Sequence, residues 1–232
     1  MIPKVIHYCW FGGKPLPADV KACMKSWKKH CPDYKIIRWD ESNFDIASVP
    51  FVKEAYDNKA WAFVSDYARL RIIYENGGIY LDTDVELLKN LDFLLGFEAY
   101  FGKQQSGEIN TGIGFGAEAC NPILKYMLNE YQNLEFDKEQ LLKISCPFIN
   151  TRAIESATKD GVLDESKNII LDPEYLDPFS SYIHAKNLMS NKTISIHHYS
   201  ASWASDQQKI KRKIARIIGE DTIIKIKNII RR

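Results

Sequence analysis

Little in this chain of 232 residues directs it to a nucleic acid, a disulfide scaffold or the interior of a bilayer. The formal net charge is only +1, so no global field attracts a polyanion. The five cysteines, Cys9, Cys23, Cys31, Cys120 and Cys146, are odd in number and scattered. None forms C-x-x-C, which argues against both a zinc site and a disulfide framework and leaves reduced thiols as the expectation. No apolar run is long enough to span a membrane, and Met1-Ile2-Pro3-Lys4 enters a strand without a signal peptide, so a cytoplasmic location is expected. There is no internal repeat, no G-x-G-x-x-G, no P-loop lysine and no kinase-type motif, and Gly12-Gly13 alone is a weak phosphate-loop signal. What is present, 45% hydrophobic and 26% charged residues, suits one globular domain with a sizeable core.

The most informative stretch is Trp61 to Glu86, WAFVSDYARLRIIYENGGIYLDTDVE. Phe63, Tyr67, Leu70, Ile73 and Tyr74 recur at three- and four-residue spacing, which predicts a helix with one buried face. Asn76-Gly77-Gly78 stops it, because glycine accepts the left-handed exit of many helices. Ile79-Tyr80-Leu81 reads as a buried strand ending in Asp82-Thr83-Asp84. Two carboxylates one residue apart, at the carboxyl end of a strand in an open sheet, are placed to hold a hard divalent cation such as Mn²⁺ or Mg²⁺. Asp66 and Arg69, three apart, lie off the apolar face of the preceding helix, free to meet a ligand or each other. A lone D-x-D is common in surface turns; the double glycine, the strand and the Asp66/Arg69 pair distinguish this one.

Along the rest of the chain, Lys4–Trp10 and Lys35–Trp39 read as the first two strands, with a helix over Pro17–Lys29 between them. A short helix is expected over Pro50–Asp57 and strands over Ala99–Gly102 and Ile109–Gly116, the last with interleaved glycines that mark a close approach of backbone or ligand. Asn121-Pro122 opens a helix to Glu130, Lys138-Glu139-Gln140 suggests a helix, Thr151–Lys159 another, and Thr193–His198 a late strand. In that strand Ile194 and Ile196 face the same way as His198, which makes His198 the more buried of the adjacent pair His197/His198.

These residues resemble a known family. S-D-x-x-R (Ser65, Asp66, Arg69) followed by G-G-I-Y-L-D-x-D-V (Gly77 to Val85) is similar to the D-x-D region of the family 32 glycosyltransferases, and more distantly to the glucosylating domain of the large clostridial toxins. The opening Ile2-Pro3-Lys4-x-Ile6-His7 with Trp10 and Gly12, and the ending His197-His198-x-x-x-Ser202-Trp203, are similar too. The resemblance implies an α/β, GT-A type Rossmann-like fold with a mixed central sheet, over residues 1–206. The implied activity is metal-dependent, retaining transfer of a hexose from a nucleotide-diphosphate sugar. UDP-hexose is the favoured donor and GDP-mannose the alternative. The acceptor is expected to be a saccharide, in lipid-linked form, in capsular or cell-surface polysaccharide synthesis. By the same resemblance Trp10 stacks on the donor's base, Asp84 binds the metal directly, and Asp82 contacts ribose or the metal through water. A histidine of the last strand completes the shell, His198 being favoured. Asp66 and Arg69 hold sugar hydroxyls or phosphate, Asn110 donates to a hydroxyl or the diphosphate, and Trp203 closes over the diphosphate. A metal-dependent phosphotransferase and an inactive membrane-surface adaptor are the competing classes; the missing kinase-type motifs and the intact Asp82, Asp84 and His198 argue against them.

Residues 207–232 differ in character, with nine basic and two acidic residues, a net +7 against −6 for residues 1–206. Ile210, Ile214, Ile217 and Ile218 fall on one helical face, Gly219 breaks the run, and Ile223, Ile226 and Ile230 repeat the pattern. A basic amphipathic tail fits an anionic membrane surface, hence a peripheral attachment to the inner face; a helix packed on the body fits equally.

Overall fold

The computed structural model describes residues 1–180 and 185–200. In chain order it contains β1 (Val5–Cys9), α1 (Ala18–His30), β2 (Lys35–Trp39), α2 (Pro50–Asp57), α3 (Trp61–Asn76), β3 (Gly78–Tyr80) and β4 (Val85–Leu87). There follow β5 (Ala99–Gly102), β6 (Phe115–Ala117), α4 (Pro122–Glu130), α5 (Cys146–Lys159), β7 (Asn168–Leu171), α6 (Pro173–Leu176) and β8 (Ser195–His197). The main sheet runs β2-β1-β3-β6-β5-β7. β1 pairs parallel with β2 and β3, β6 runs antiparallel to β3 and β5, and β5 is parallel to β7. The sheet is therefore mixed, as expected. β4 and β8 form a separate antiparallel ribbon.

Alternation along each strand divides the core into two layers. Ile79 and Tyr100 join Ile6, Trp27 and Leu94 on one side of the sheet; their neighbours Tyr80 and Phe101 join Tyr67, Leu70 and Phe115 on the other. Helix α3 lies on the second side, and its burial exceeds the single apolar face expected. Asp66 and Arg69 are buried along with Val64, Leu70, Ile72 and Ile73, so the pair is not free on an outer face. Each large aliphatic side chain enclosed this way contributes roughly 1.5–3 kcal/mol. The helix ends as predicted: Gly77 has φ 65°, the left-handed region, and its N–H reaches the Ile73 carbonyl.

Two expected elements are absent. Ile109–Gly116 is not one strand, because the Asn110 side chain accepts the Gly112 N–H at 2.8 Å and starts a 3₁₀ turn over Thr111–Ile113. Lys138-Glu139-Gln140 is not helical, because Asp137 takes the Glu139 amide on one carboxylate oxygen and the Gln140 side chain on the other. The expected tail over residues 207–232 lies outside the described residues, as does Trp203. Among the described residues no helix is long and apolar enough to cross a membrane, and all five cysteines are free.

Candidate active site

β1 and β3 are parallel, so their carboxyl ends open on the same edge of the sheet, and β6 begins there after the 3₁₀ turn. A cleft of about 570 Å³ lies at this edge. Its walls come from the end of β1 and its loop (Trp10, Gly12, Lys14), from Lys59 and the first turns of α3 (Trp61, Ser65, Arg69), from Asp82 and Asp84, and from His197 and Tyr199.

Asp82, Asp84 and His197 converge, one ligand atom from each lying within 4.8 Å of the other two. His197 Nε2 is 3.0 Å from Asp84 Oδ1. The second Asp84 oxygen accepts the Ser200 N–H at 2.8 Å and the Ser200 hydroxyl at 2.9 Å. Burial opposes the Asp84 charge, but His197 and Ser200 outweigh it and hold this carboxyl well below the usual range. His197 is raised: burial works against the charged ring, and Asp84, Asp82 and Asp177 overcome it. Its Nδ1 is buried without a hydrogen-bond partner among the described residues. The Tyr199 ring backs the imidazole at 4.0 Å between centroids and is anchored by its hydroxyl, which donates to Asp177 Oδ1 at 2.8 Å. Two carboxylates and one imidazole form a donor set that Mn²⁺ accepts readily and Mg²⁺ accepts through its oxygens.

Here the structure corrects the sequence reading of the histidine pair. His197 is 9% exposed at its side chain and faces Asp84; His198 is 44% exposed and pairs with Glu86 Oε2 at 2.9 Å. The cause is the ribbon register: His197 lies opposite Val85, Ser195 opposite Leu87, and Ile196 opposite Glu86. Cross-strand partners share a face, so His197 and Ser195 follow the buried Val85 and Leu87. The His198 backbone N–H donates to the Asp84 carbonyl at 3.0 Å.

Behind the triad, Arg69 Nη2 lies 3.1 Å from both Asp66 Oδ1 and Asp82 Oδ1. The guanidinium also sits over the Tyr80 ring, 4.9 Å from its centroid, and the Tyr80 hydroxyl donates to Asp82 Oδ1 at 2.9 Å. Burial works against the Arg69 charge, but Asp82, Tyr80 and Asp66 raise it well above its usual value. Burial raises the Asp66 carboxyl to about 6, although Arg69 and, more weakly, Cys146 at the start of α5 oppose this. Asp82 is raised as well, by burial against the pull of Arg69. Arg69 thus lines the cleft while Asp66 stands behind it.

Trp10 lines the cleft, its indole N–H fixed on the Lys14 carbonyl at 2.5 Å. Asn110 does not line it. Its amide is spent inside the protein, on the Gly112 N–H and on Gln104 Oε1 at 3.0 Å, so the expected contact with a sugar or diphosphate gives way to a structural cap. The sequence reading also missed Lys14, Lys59, Trp61, Ser65, Tyr199 and Ser200 as wall or support residues. Trp61 and Ser65 were within reach, being one helical turn apart and leading to Arg69 on the same face.

Comparison with known proteins agrees with this geometry. Residues 17–101 match the family described as a glycosyltransferase sugar-binding region containing a DXD motif. An uncharacterised glycosyltransferase of Acanthamoeba polyphaga mimivirus is 27% identical over 196 residues, covering 78% of this chain and 75% of that one. Inositol phosphoceramide mannosyltransferase 3 of Schizosaccharomyces pombe is 35% identical over 119 residues, 49% of this chain and 33% of that one; the chain thus spans about a third of the yeast protein's length. Among solved structures, PaToxG glycosyltransferase superposes with a TM-score of 0.56 at 20% identity, over 71% of this chain and 74% of that one. The GT-A type fold expected from the resemblance is the fold observed.

Proposed function

We propose that this chain, a glycosyltransferase with a DXD sugar-binding region, moves a hexose from a nucleotide-diphosphate sugar to a saccharide acceptor, with Asp82, Asp84 and His197 holding a divalent cation. The observation that carries the reading is the convergence of those three side chains at the carboxyl end of β3, inside the cleft. Bound Mn²⁺ or Mg²⁺ supplies Lewis-acid stabilisation of the charge that builds on the leaving diphosphate. The chain's own residues do the rest. Ser200 fixes one Asp84 oxygen and leaves the other facing His197. Arg69 and Tyr80 orient Asp82. Arg69 holds donor hydroxyls or phosphate from the cleft wall, Asp66 keeps the guanidinium in place, and Trp10 stacks on the base. Retention of anomeric configuration follows from the family resemblance alone.

UDP-hexose remains the first donor to try. Two of the named yeast relatives favour the second, since they are mannosyltransferases by name, which points to GDP-mannose. They are also named for inositol phosphoceramide, and a lipid-linked acceptor in cell-surface or capsular polysaccharide synthesis fits the basic tail, with attachment to an anionic membrane surface from the cytoplasmic side. The test is a screen of nucleotide sugars by hydrolysis and thermal shift, with Mn²⁺ and with EDTA. Turnover of one donor that EDTA abolishes and Mn²⁺ restores is the expected result. Full turnover in EDTA removes the metal, and no turnover of any donor removes the donor class.

A further inference from the structure

The exit of α2 is built in an uneconomical way. The Lys59 N–H bonds the Tyr56 carbonyl at 2.8 Å and the Ala60 N–H bonds the Ala55 carbonyl at 2.9 Å, the double closure of a Schellman ending. That ending needs a left-handed residue, and Lys59 supplies it with φ 56°. The same closure ends α5, where the Gly161 N–H meets the Thr158 carbonyl and the Val162 N–H the Ala157 carbonyl, and there the left-handed residue is glycine with φ 71°. Glycine takes this conformation without steric cost and a side chain does not. A lysine in the glycine position of α2 therefore carries a conformational penalty that glycine would avoid. Lys59 lines the cleft, two residues before Trp61, and Lys14 lines it from the β1 loop. Neither lysine forms an ion pair among the described residues.

We propose that Lys59 is a donor-binding residue whose ammonium, aided by Lys14, takes phosphate oxygens of the nucleotide-diphosphate donor. The site already holds two carboxylates, and a diphosphate entering it brings further negative charge; cations on the wall of the same cleft lower that repulsion. A lysine serves as a point charge for such a group, with no need for a forked geometry. This inference rests on the donor class proposed above.

The test exploits the backbone. Lys59→Gly removes the ammonium yet suits the left-handed turn better, so the variant melts no lower than wild type. Binding of UDP and of GDP is then measured by calorimetry with Mn²⁺ and no acceptor present, which confines any change to the donor. Loss of about tenfold in Kd is expected, the size of one charge-assisted hydrogen bond, with recovery in Lys59→Arg. Wild-type affinity in Lys59→Gly overturns the inference alone, and so does an effect confined to acceptor KM in the transfer assay. A wild-type protein that binds neither nucleotide overturns both this inference and the donor class.

Discussion

His197 Nε2 and Asp84 Oδ1 stand 3.0 Å apart although 113 residues separate them in the chain. The two-stranded ribbon of β4 and β8 joins them, pairing Val85 with His197 in register. A proposed ligand set assembled by so short a ribbon makes the identity of the histidine testable. His197→Ala should lower Mn²⁺-dependent donor hydrolysis by at least the 10- to 100-fold typical of disturbed metal sites. His198→Ala, which removes an exposed ring paired with Glu86, should stay within a few-fold of wild type. The reverse order of effects in a Mn²⁺ titration would return the ligand to His198.

Arg69 sets up a second prediction, this time about stability. Its guanidinium is 3% exposed and bridges Asp66 and Asp82. Arg69→Ala leaves two enclosed carboxylates without their counter-charge, a change that costs about 3–5 kcal/mol when one partner of a buried pair is removed. Arg69→Lys keeps a charge but cannot reach both carboxylates and stack on Tyr80 together. It should fold, and lose activity more than stability. Urea unfolding of both variants, set beside their turnover, decides the matter; an Arg69→Ala protein as stable as wild type would mean that the carboxylates are satisfied elsewhere.

A third concerns Gly112, whose place in the 3₁₀ turn leaves no room for a side chain. A Cβ there would stand 2.7 Å from Asp82 Oδ2 and 3.0 Å from both Arg69 Nη1 and Asn110 Oδ1. Asp82 is the member able to move, and moving it breaks the triad proposed to hold the metal. Gly112→Ala should therefore fold, at an overpacking cost of about 1–3 kcal/mol, while its requirement for Mn²⁺ rises several-fold. Unchanged Mn²⁺ dependence would show that the turn yields instead of Asp82.

The history of this turn in the sequence illustrates what a single chain discloses. Glycines at 112, 114 and 116 were legible as a place of close approach, and Gly112 beside Asp82 is that approach. That the segment leaves the strand geometry was not legible, because the deciding event is one side chain, Asn110, capturing a backbone N–H. Strands Lys35–Trp39 and Ala99–Gly102 lie where their β-branched and aromatic runs placed them. β7, Asn168–Leu171, did not announce itself, since four residues among charged turns make no periodic signal. The same limit explains the histidine pair. Alternation was read correctly, but its phase depends on which residues of β4 lie opposite, and that register is a tertiary fact. Asp82, Asp84, Asp66 and Arg69 could be named from sequence because one contiguous stretch carries them all.

The last prediction lies away from the cleft, at His7 in the middle of β1. Its ring is almost fully buried. Trp39 Nε1 donates to His7 Nδ1 at 3.0 Å, which leaves Nε2 to carry the proton and donate to the Gly77 carbonyl at 3.1 Å. The neutral tautomer satisfies both neighbours; a second proton on Nδ1 would face the Trp39 N–H. Burial is the main cause that lowers the ring to about 4 from 6.5, despite the Gly77 carbonyl. The unfolded chain therefore takes up the proton first as pH falls. The His7 contribution to stability is fully present above about 6.5, shrinks as pH drops toward 4, and changes no further below that, roughly 3 kcal/mol in all. Asp66, raised to about 6, acts in the opposite sense over an overlapping range, since its folded form binds the proton first. The wild-type curve alone will therefore mix the two, and a difference is needed. His7→Gln can accept from Trp39 and donate to Gly77 but cannot titrate. The stability of wild type relative to His7→Gln, from urea unfolding at pH 7.5 and pH 4.5, should fall by about 2 kcal/mol over that interval. A constant difference would mean that His7 takes its proton equally in both states.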